Sequence, residues 1–342
     1  MAIATIFDVA KAAGVSIKTV SLVMNGHANV SEQTRARVLK AAEELHYTPN
    51  QSARSLAGSR SFLIGLLYDN PIPSYITTVQ MGAVSFCRKN GYHLMSEPID
   101  STMDNVDQHV TQLLTTLRPD GIILAPLATD SVALIERIEA FGTPYVRIAP
   151  GSDRERSPHV LMSDKEAAAA MTAYLIGLGH RDIGFVKGHE KHGASHLRFE
   201  GYVTAMRAAG LGVRDDLVAQ GDFSFQSGFE AALSLLDTDP RPTAIFCSND
   251  EMALGVMSVA HREGLHVPRD LSIAGFDDAP SASVVWPPLT TIHQPIFEMA
   301  EAAAEMLIAR KSAPGADAPQ PKSRTLDFSL VVRGSTAPPG GA

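Results

Sequence analysis

The sequence predicts a small all-α head followed by an α/β core of two parallel-sheet lobes. Three observations carry that expectation. The chain has 342 residues, more than the roughly 100–200 that one domain usually holds. Its first sixty residues show helical periodicity only, whereas from Phe62 onward short apolar runs alternate with helical patterns. The alternation restarts after residue 160, and two successive strand–helix series imply two lobes.

In the head, Ile6, Val9, Ala10 and Ala13 share one face of a short helix. Gly14 follows, where a tight turn needs a residue tolerant of positive φ. Ser16 supplies the N-cap oxygen of a second helix running to about Met24. Val20 and Val23 form its inward stripe, which leaves Ile17, Lys18, Ser21 and Leu22 pointing outward. This is the helix-turn-helix plan, whose second helix enters the DNA major groove, although spacing alone leaves a generic three-helix bundle open. Ser31 caps a third helix carrying Val38, Ala41, Ala42 and Leu45, which ends before Pro49. Asn50 to Gly58 forms a fourth short helical segment with Ala53, Leu56 and Ala57 on one side. Nine residues are marginal as an isolated helix, because nucleation is costly.

From Phe62 the pattern is strand "FLIGLLY", helix Tyr75 to Asn90, strand "GYHLMSEP", helix Asp107 to Leu117 and strand "DGIILAP". Helix Val132 to Phe141 and strand "PYVRIA" complete the first series. After "VLMSDKEAAAAMTAYLIGLGH", strands "DIGFVKG", "TAIFCSN" and "LSIAGFDD" alternate with helices at 196–209, 226–236 and 250–263.

Composition narrows the function classes. Hydrophobic residues make up 45% and charged residues 19%, a globular rather than disordered mix. No apolar run approaches the ~18 residues of a membrane span. Met1 to Phe7 lacks the basic-then-apolar pattern of an export signal, so a cytoplasmic location is expected. Cys87 and Cys247 lie in apolar stretches without metal-like spacing, which predicts two buried thiols. The net charge is −8, but residues 1–60 hold seven basic groups (Lys11, Lys18, Arg35, Arg37, Lys40, Arg54, Arg60) against four acidic ones, leaving the head at +3 and the rest at −11. A basic head on an acidic body is the asymmetry expected if the head alone meets phosphate.

No Walker-type sequence occurs, and no GxGxxG opens a helix after the first strand, so no nucleotide cofactor is expected. His189, His192 and His196 cluster without a supporting carboxylate and are assigned to a solvated loop, not to a metal site. No Ser/His/Asp or paired-carboxylate arrangement stands out, so no enzyme activity is expected.

The strings "TIFDVAKAAGVSIKTVSLVMNG" and "VSEQTRARVLKAAEELHYTPNQSARSLAGSRS" closely resemble the headpiece of the LacI/GalR family of bacterial transcriptional regulators. "GHRDIGFVKG", "HLRFEGY", "SNDEMALGVMSVA", "VPRDLSIAGFDD" and "PPLTTIHQP" resemble the periplasmic-binding-protein-like core of the same family, so the resemblance covers nearly the whole chain. It implies a helix-turn-helix domain at 1–49, a hinge at 50–60, a ligand-binding core at 61–335 and a flexible tail at 336–342. The N-lobe would span about 61–161 and 293–323, the C-lobe about 163–291 and 327–335.

The resemblance also assigns roles. Ile17 and Lys18 would meet base edges. Leu22 stands where many relatives carry arginine, which removes a bidentate guanine contact and puts the usual half-site preference in doubt. Thr5, Ser16, Thr19, Ser21, Asn25, Asn29, Ser31 and Thr34 would contact the DNA backbone or groove edge. Asn50, Ala53, Arg54 and Ala57 belong to the hinge, and Leu56 would wedge between base pairs from the minor groove.

Ligands in such cores lie outside the carboxyl ends of the strands. That rule selects Asp69 and Asn70 after the first strand, Asn249 after "AIFCS" and Asp277 after "SIAGF", and the resemblance adds Arg198. These supply donors and acceptors for a diol, and Phe223 and Trp286 could form a flat wall, Trp286 alternatively facing a dimer partner. Tyr75 and Arg147 are further candidates. The expected protein is a homodimeric repressor released from a near-palindromic operator by a sugar or sugar derivative. A corepressor-dependent regulator of a purine-like ligand is the alternative. A solute-binding protein or cleft enzyme would need an export signal or a catalytic constellation and would leave residues 5–61 unexplained.

Overall fold

The elements form where local sequence satisfies their ends. In the computed structural model, which describes residues 4–24, 29–47, 60–69, 72–99, 106–312 and 323–340, Thr5 opens helix α1 (Ile6–Ala13). Its N–H and hydroxyl donate to Asp8 Oδ2 at 2.8 and 2.7 Å, the acid standing in the first turn where the helix dipole favours it. Gly14 ends the helix at φ 62°, returning its N–H to the last carbonyls. Ser16 Oγ accepts from Thr19 N at 3.2 Å and starts α2 (Ile17–Met24). Ser31 Oγ accepts from Thr34 N at 3.3 Å and starts α3 (Glu32–Glu44). Val9, Val20, Val23 and Val38, with Ala10, Ala13, Ala41 and Ala42, bury one small core. Leu45 does not join it: it follows the last turn of α3 and is 37% exposed, while Tyr47 packs against the cluster instead.

Residues 1–62 form one compact unit and 63–342 another. The second begins with β1 (Leu63–Tyr68), α4 (Pro73–Lys89), β2 (His93–Pro98), α5 (Val106–Thr116) and β3 (Gly121–Leu124). α6 (Val132–Ala140), β4 (Tyr145–Ile148) and β5 (His159–Met162) follow. The chain then builds the C-lobe from α7 (Asp164–Gly177), β6 (Ile183–Lys187), α8 (Gly193–Ala208), β7 (Val218–Gln220) and α9 (Phe225–Leu236). β8 (Ala244–Cys247), α10 (Asp250–Arg262), β9 (Ser272–Ala274) and α11 (Pro280–Val284) complete that run. Last come β10 (Thr291–His293), α12 (Ile296–Ser312), β11 (Ser323–Leu326) and β12 (Ser329–Val331).

The N-lobe sheet has the order β11-β5-β4-β3-β1-β2 and the C-lobe sheet β7-β6-β8-β9, with every pairing in both parallel. Parallel strands need helical crossovers that cover both faces, so the central strands bury all their residues: β3, β4 and β8 show no exposed position. β10 and β12 pair antiparallel in a separate ribbon. The chain therefore passes between lobes three times, between β5 and α7, β10 and α12, and β11 and β12.

α12 is an element the sequence pattern concealed. It packs on α4 and on β3, β4 and β5, and Ile296, Met299, Ala300, Ala302, Ala303, Ala304, Met306 and Leu307 are all buried. Among the described side chains its polar stripe is reduced to Glu298, Glu301 and Glu305, and the wide apolar remainder gives only a weak periodic signal. The start of the segment expected to be a flexible tail is anchored instead, at Thr336 and Ala337. Ala337 accepts from His180 Nε2 at 2.9 Å and Ser272 Oγ at 3.0 Å, and Thr336 Oγ1 lies 2.9 Å from both Tyr174 OH and Thr290 Oγ1. Cys87 and Cys247 are buried free thiols, pushed above the usual thiol range by that burial.

Candidate functional site

Two surfaces gather the polar residues selected from the sequence. In the head, burying Val20 and Val23 turns the opposite side of α2 outward. Ile17 is 41% exposed and Lys18 is exposed, with Ser21 and Leu22 half-buried beside them. The hydroxyls of Ser16 and Thr19 lie 2.9 Å apart at the start of this helix, and Ser31 Oγ donates to Thr34 Oγ1 at 3.0 Å at the start of α3. Thr5 and Asn29 are also exposed. Asn25, Asn50, Ala53, Arg54, Leu56, Ala57 and Asn70 lie outside the described residues.

Between the lobes lies a cleft-like cavity whose empty space, open solvent at its mouth included, is about 370 Å³. Ile72, Tyr75 and Ala149 wall it from one side, Asp164, His192, Ala194, Arg198, Phe223 and Asp277 from the other, and Gln294 sits at a crossover. A neighbouring open chamber, about 550 Å³ with the solvent at its mouth included, shares Tyr75, Asp277 and Gln294 with it. The structure thus brings Tyr75, Arg198, Phe223 and Asp277 together.

Arg198, buried on α8, donates from Nε to Asp164 Oδ1 at 2.8 Å and from Nη1 to the Ser248 carbonyl at 2.5 Å. Nη1 lies 3.7 Å from Asp277 Oδ1, and the guanidinium carbon is 3.7 Å from the Phe276 ring centre. Gln294 Nε2 donates to Asp277 Oδ1 at 2.5 Å. Beneath them Asp250 accepts from Thr291 Oγ1 at 2.6 Å and Ala279 N at 2.7 Å. Burial pushes all three carboxyls above their usual range, Asp277 to about 7, while Arg198 pulls Asp164 and Asp277 the other way. Asp277 sits at φ 121° and Phe223 at φ 75°, conformations that cost a non-glycine residue energy and persist where the surrounding structure enforces them.

His192 corrects the sequence expectation of a solvated loop: it is a cavity wall. It caps α8, its Nδ1 accepting from Ala194 N at 3.2 Å, and its ring meets Phe223 edge-on at 5.2 Å between centroids. Burial drives its pKa down to about 3, with Arg198 adding to the effect, so the ring is neutral with its proton on Nε2. The residue just before a helix was the signal that could have found it. Asp164, also a wall residue, was missed because it reads as an ordinary first-turn acid of α7.

Four candidates stand outside the cavity's lining. Arg147 is fully buried in β4, donating to Ser157 Oγ at 2.9 Å, to the Ser152 carbonyl at 3.1 Å and to the Asp153 carbonyl. A cation in a buried strand must find acceptors, and here the loop after β4 supplies them. Asn249 spends both ends of its amide on protein: Oδ1 accepts from Met252 N at 3.0 Å, capping α10, and Nδ2 donates to the Phe223 carbonyl at 2.9 Å. It therefore fixes the backbone that carries Phe223. Trp286 is 82% exposed beyond α11. The Asp69 carbonyl accepts from Leu127 N at 3.1 Å, which ties β1 to the turn after β3.

The loop that Arg147 holds also meets the other lobe. Asp130 accepts from Gly151 N at 3.0 Å and from Ser152 N at 3.1 Å. A Cβ on Gly151 would stand 2.5 Å from the Cα of Gly193 at the start of α8, and one on Gly193 would stand 2.2 Å from the Cα of Gly151. The lobes touch here backbone to backbone, which only glycine permits.

Residues 5–50 match the profile of bacterial regulatory proteins of the lacI family, and residues 172–336 match that of the periplasmic binding protein-like domain. The chain is 35% identical over 309 residues to the HTH-type transcriptional repressor PurR of Pasteurella multocida (strain Pm70), covering 90% of this chain and 92% of that protein. It is similar to the solved lac repressor dimer bound to operator and the anti-inducer ONPF, with a TM-score of 0.79, at 29% identity over 98% of this chain and 99% of that one. It is also similar to the transcriptional regulator CelR in its cellobiose complex, with a TM-score of 0.74 and 29% identity over 97% and 99% of the two chains. A helix-turn-helix head, a two-lobed parallel-sheet core and a whole-length identity of this size have one common explanation: the chain belongs to the lacI family of bacterial regulatory proteins.

Proposed function

We propose that this DNA-binding transcriptional repressor acts in the cytoplasm as a homodimer on a near-palindromic operator, and that a sugar or sugar derivative in the interlobe cavity releases it. The observation that carries the effector reading is that both lobes wall one cavity, so occupancy biases how the lobes sit. Arg198, Asp277, Gln294 and His192 give it donors and acceptors, and Phe223 and Tyr75 give it flat apolar faces, the mix that suits a small polar ligand. Ile17 and Lys18 are the residues we assign to base edges, and Thr5, Ser16, Thr19 and Ser31 to the DNA backbone. The similar regulator solved with cellobiose supports a sugar effector. The exposed Val284 and Trp286 offer a surface for the partner subunit to cover.

The test is effector affinity with and without saturating operator DNA, after selecting the operator from random duplexes. Induction requires weaker effector binding on the operator, and linkage makes the reverse effect equal in factor. Equal affinities remove the allosteric reading, and tighter binding on the operator replaces induction by corepression.

A further inference from the structure

Among the described residues Arg198 is the only cation in the cavity wall, and two of its N–H groups are already committed to the protein. Nε serves Asp164, Nη1 serves the Ser248 carbonyl and lies near Asp277, and one face lies on Phe276. An anionic ligand is held best by a guanidinium fork that presents two parallel N–H groups. Here Asp164 already occupies part of that fork. We infer that the cavity selects an uncharged or cationic effector and excludes carboxylates and phosphates. The inference rests on the cavity being the effector site.

The charges around the cavity point the same way. Asp164 and Asp277 stand in the wall, with Asp250 behind them and Glu251 close enough to act on Asp277. Asp278, on the adjoining chamber, is paired with Arg333 at 2.5 Å and with His293 at 3.1 Å. Against these acids stand Arg198 and, acting on Asp164 from the loop after β4, Arg154, whose Nε donates to the Pro150 carbonyl at 3.2 Å. A further anion would raise the cost of ionising these carboxyls and would be repelled by each one that is ionised, in a site of low dielectric where like charges repel strongly.

Helix ends would be the other means of holding an anion. Three C-lobe helices begin beside the cavity, and each N-terminus is served by the protein itself. Asp164 stands in the first turn of α7, His192 Nδ1 caps α8 and Asn249 Oδ1 caps α10. What the wall offers instead is carboxylate and amide acceptors from Asp164, Asp277 and Gln294, and a neutral imidazole N–H from His192. That set matches hydroxyl or amine groups of a polyol or amino sugar.

The test uses matched ligands that differ mainly in charge, on the full-length protein by calorimetry and thermal unfolding at constant ionic strength. D-Glucose and D-galactose are compared with D-glucosamine, D-glucuronate and D-galacturonate, and D-ribose with ribose 5-phosphate. Adenine is included as an uncharged ligand that is not a sugar. On every scaffold that binds, the acid or phosphate is expected to bind at least tenfold more weakly than its uncharged parent. Asp164→Asn should narrow that gap about tenfold by removing the carboxylate that competes with the ligand for the charge of Arg198, and Asp277→Asn is the second variant should the first fail to fold. An acid or phosphate that binds as tightly as its parent overturns the inference and leaves the sugar reading standing. Binding by adenine alone overturns the sugar reading and bears the exclusion of anions out. Silence from every ligand counts against both.

Discussion

Arg198 neutralises the two carboxylates it lies between, so its removal acts on stability before it acts on recognition. Arg198→Ala strands Asp164, and Asp277 wherever it is ionised, without a counter-charge, and breaking a buried pair in this way costs about 3–5 kcal/mol. Urea unfolding of the variant should show that loss, and an unchanged midpoint would show that the pairing contributes little. Asp277 has a pH signature of its own. Its folded pKa is raised to about 7, so the native state keeps a proton that the unfolded chain releases near pH 4. Through that window the native state binds more protons, and its stability falls as pH rises. The fall belongs jointly to Asp277 and the neighbouring Asp250. His192, with its lowered pKa, works oppositely, gaining stability as pH rises toward about 6.5. The difference between wild type and Asp277→Asn isolates the carboxyl: wild type should lose ground against the variant from pH 5 to 7, by at most about 1.4 kcal/mol per pH unit. A flat difference would mean that Asp277 is ionised throughout.

At the scale of the element, caps and faces divide the labour. Asn249→Ala removes the α10 cap, for about 1 kcal/mol, and leaves the Phe223 carbonyl without its amide donor. Effector affinity should change only as far as the Phe223 backbone shifts, so calorimetry should show a smaller loss for Asn249→Ala than for Phe223→Ala. The reverse order would restore Asn249 as a direct ligand contact. α2 shows the complementary case. Lys18 is exposed and serves no core, so Lys18→Ala should leave thermal unfolding unchanged. Operator affinity should fall and, if the ammonium meets phosphate, the slope of log K against log salt should drop by about 1. If Lys18 instead contacts a base, the loss concentrates on specific sites and the slope holds.

Across the whole second unit, closure of the lobes rests on two positions without side chains. Gly151→Ala or Gly193→Ala places a methyl where the opposing backbone stands, within 2.5 Å in either case. The cheapest relief is to separate the lobes. Effector affinity should then fall at least tenfold, with a measurable rise in the radius of gyration of the effector-bound protein by X-ray scattering. If the effector is an inducer, operator affinity should hold or rise; if it is a corepressor, both affinities should fall. Unchanged affinities and scattering would show that the loop yields instead of the lobes.

Local order was legible in this sequence wherever local chemistry decides it. The head's helices follow from Ser16, Ser31 and Gly14 and from valines and alanines at helical spacing, because caps and periodicity act within a few residues. The alternation of strands and helices, and with it the two-lobed class, was legible for the same reason. Asp277 could be selected from a strand end, Arg198 from the resemblance and Phe223 as an aromatic wall, with Tyr75 a further candidate, and the fold brings all four to one cavity. The sequence left undecided which polar groups face the ligand and which serve the protein. Asn249 and Arg147 were ligand candidates and His192 was not, yet the first caps a helix, the second holds a loop and only the third lines the cavity. α12 escaped detection because burial on most sides narrows its polar stripe to Glu298, Glu301 and Glu305, and Gly151 and Gly193 are unremarkable until two segments 42 positions apart meet. Those outcomes depend on long-range packing, in which a side chain's partner is set by where distant backbone arrives, and no local pattern encodes that.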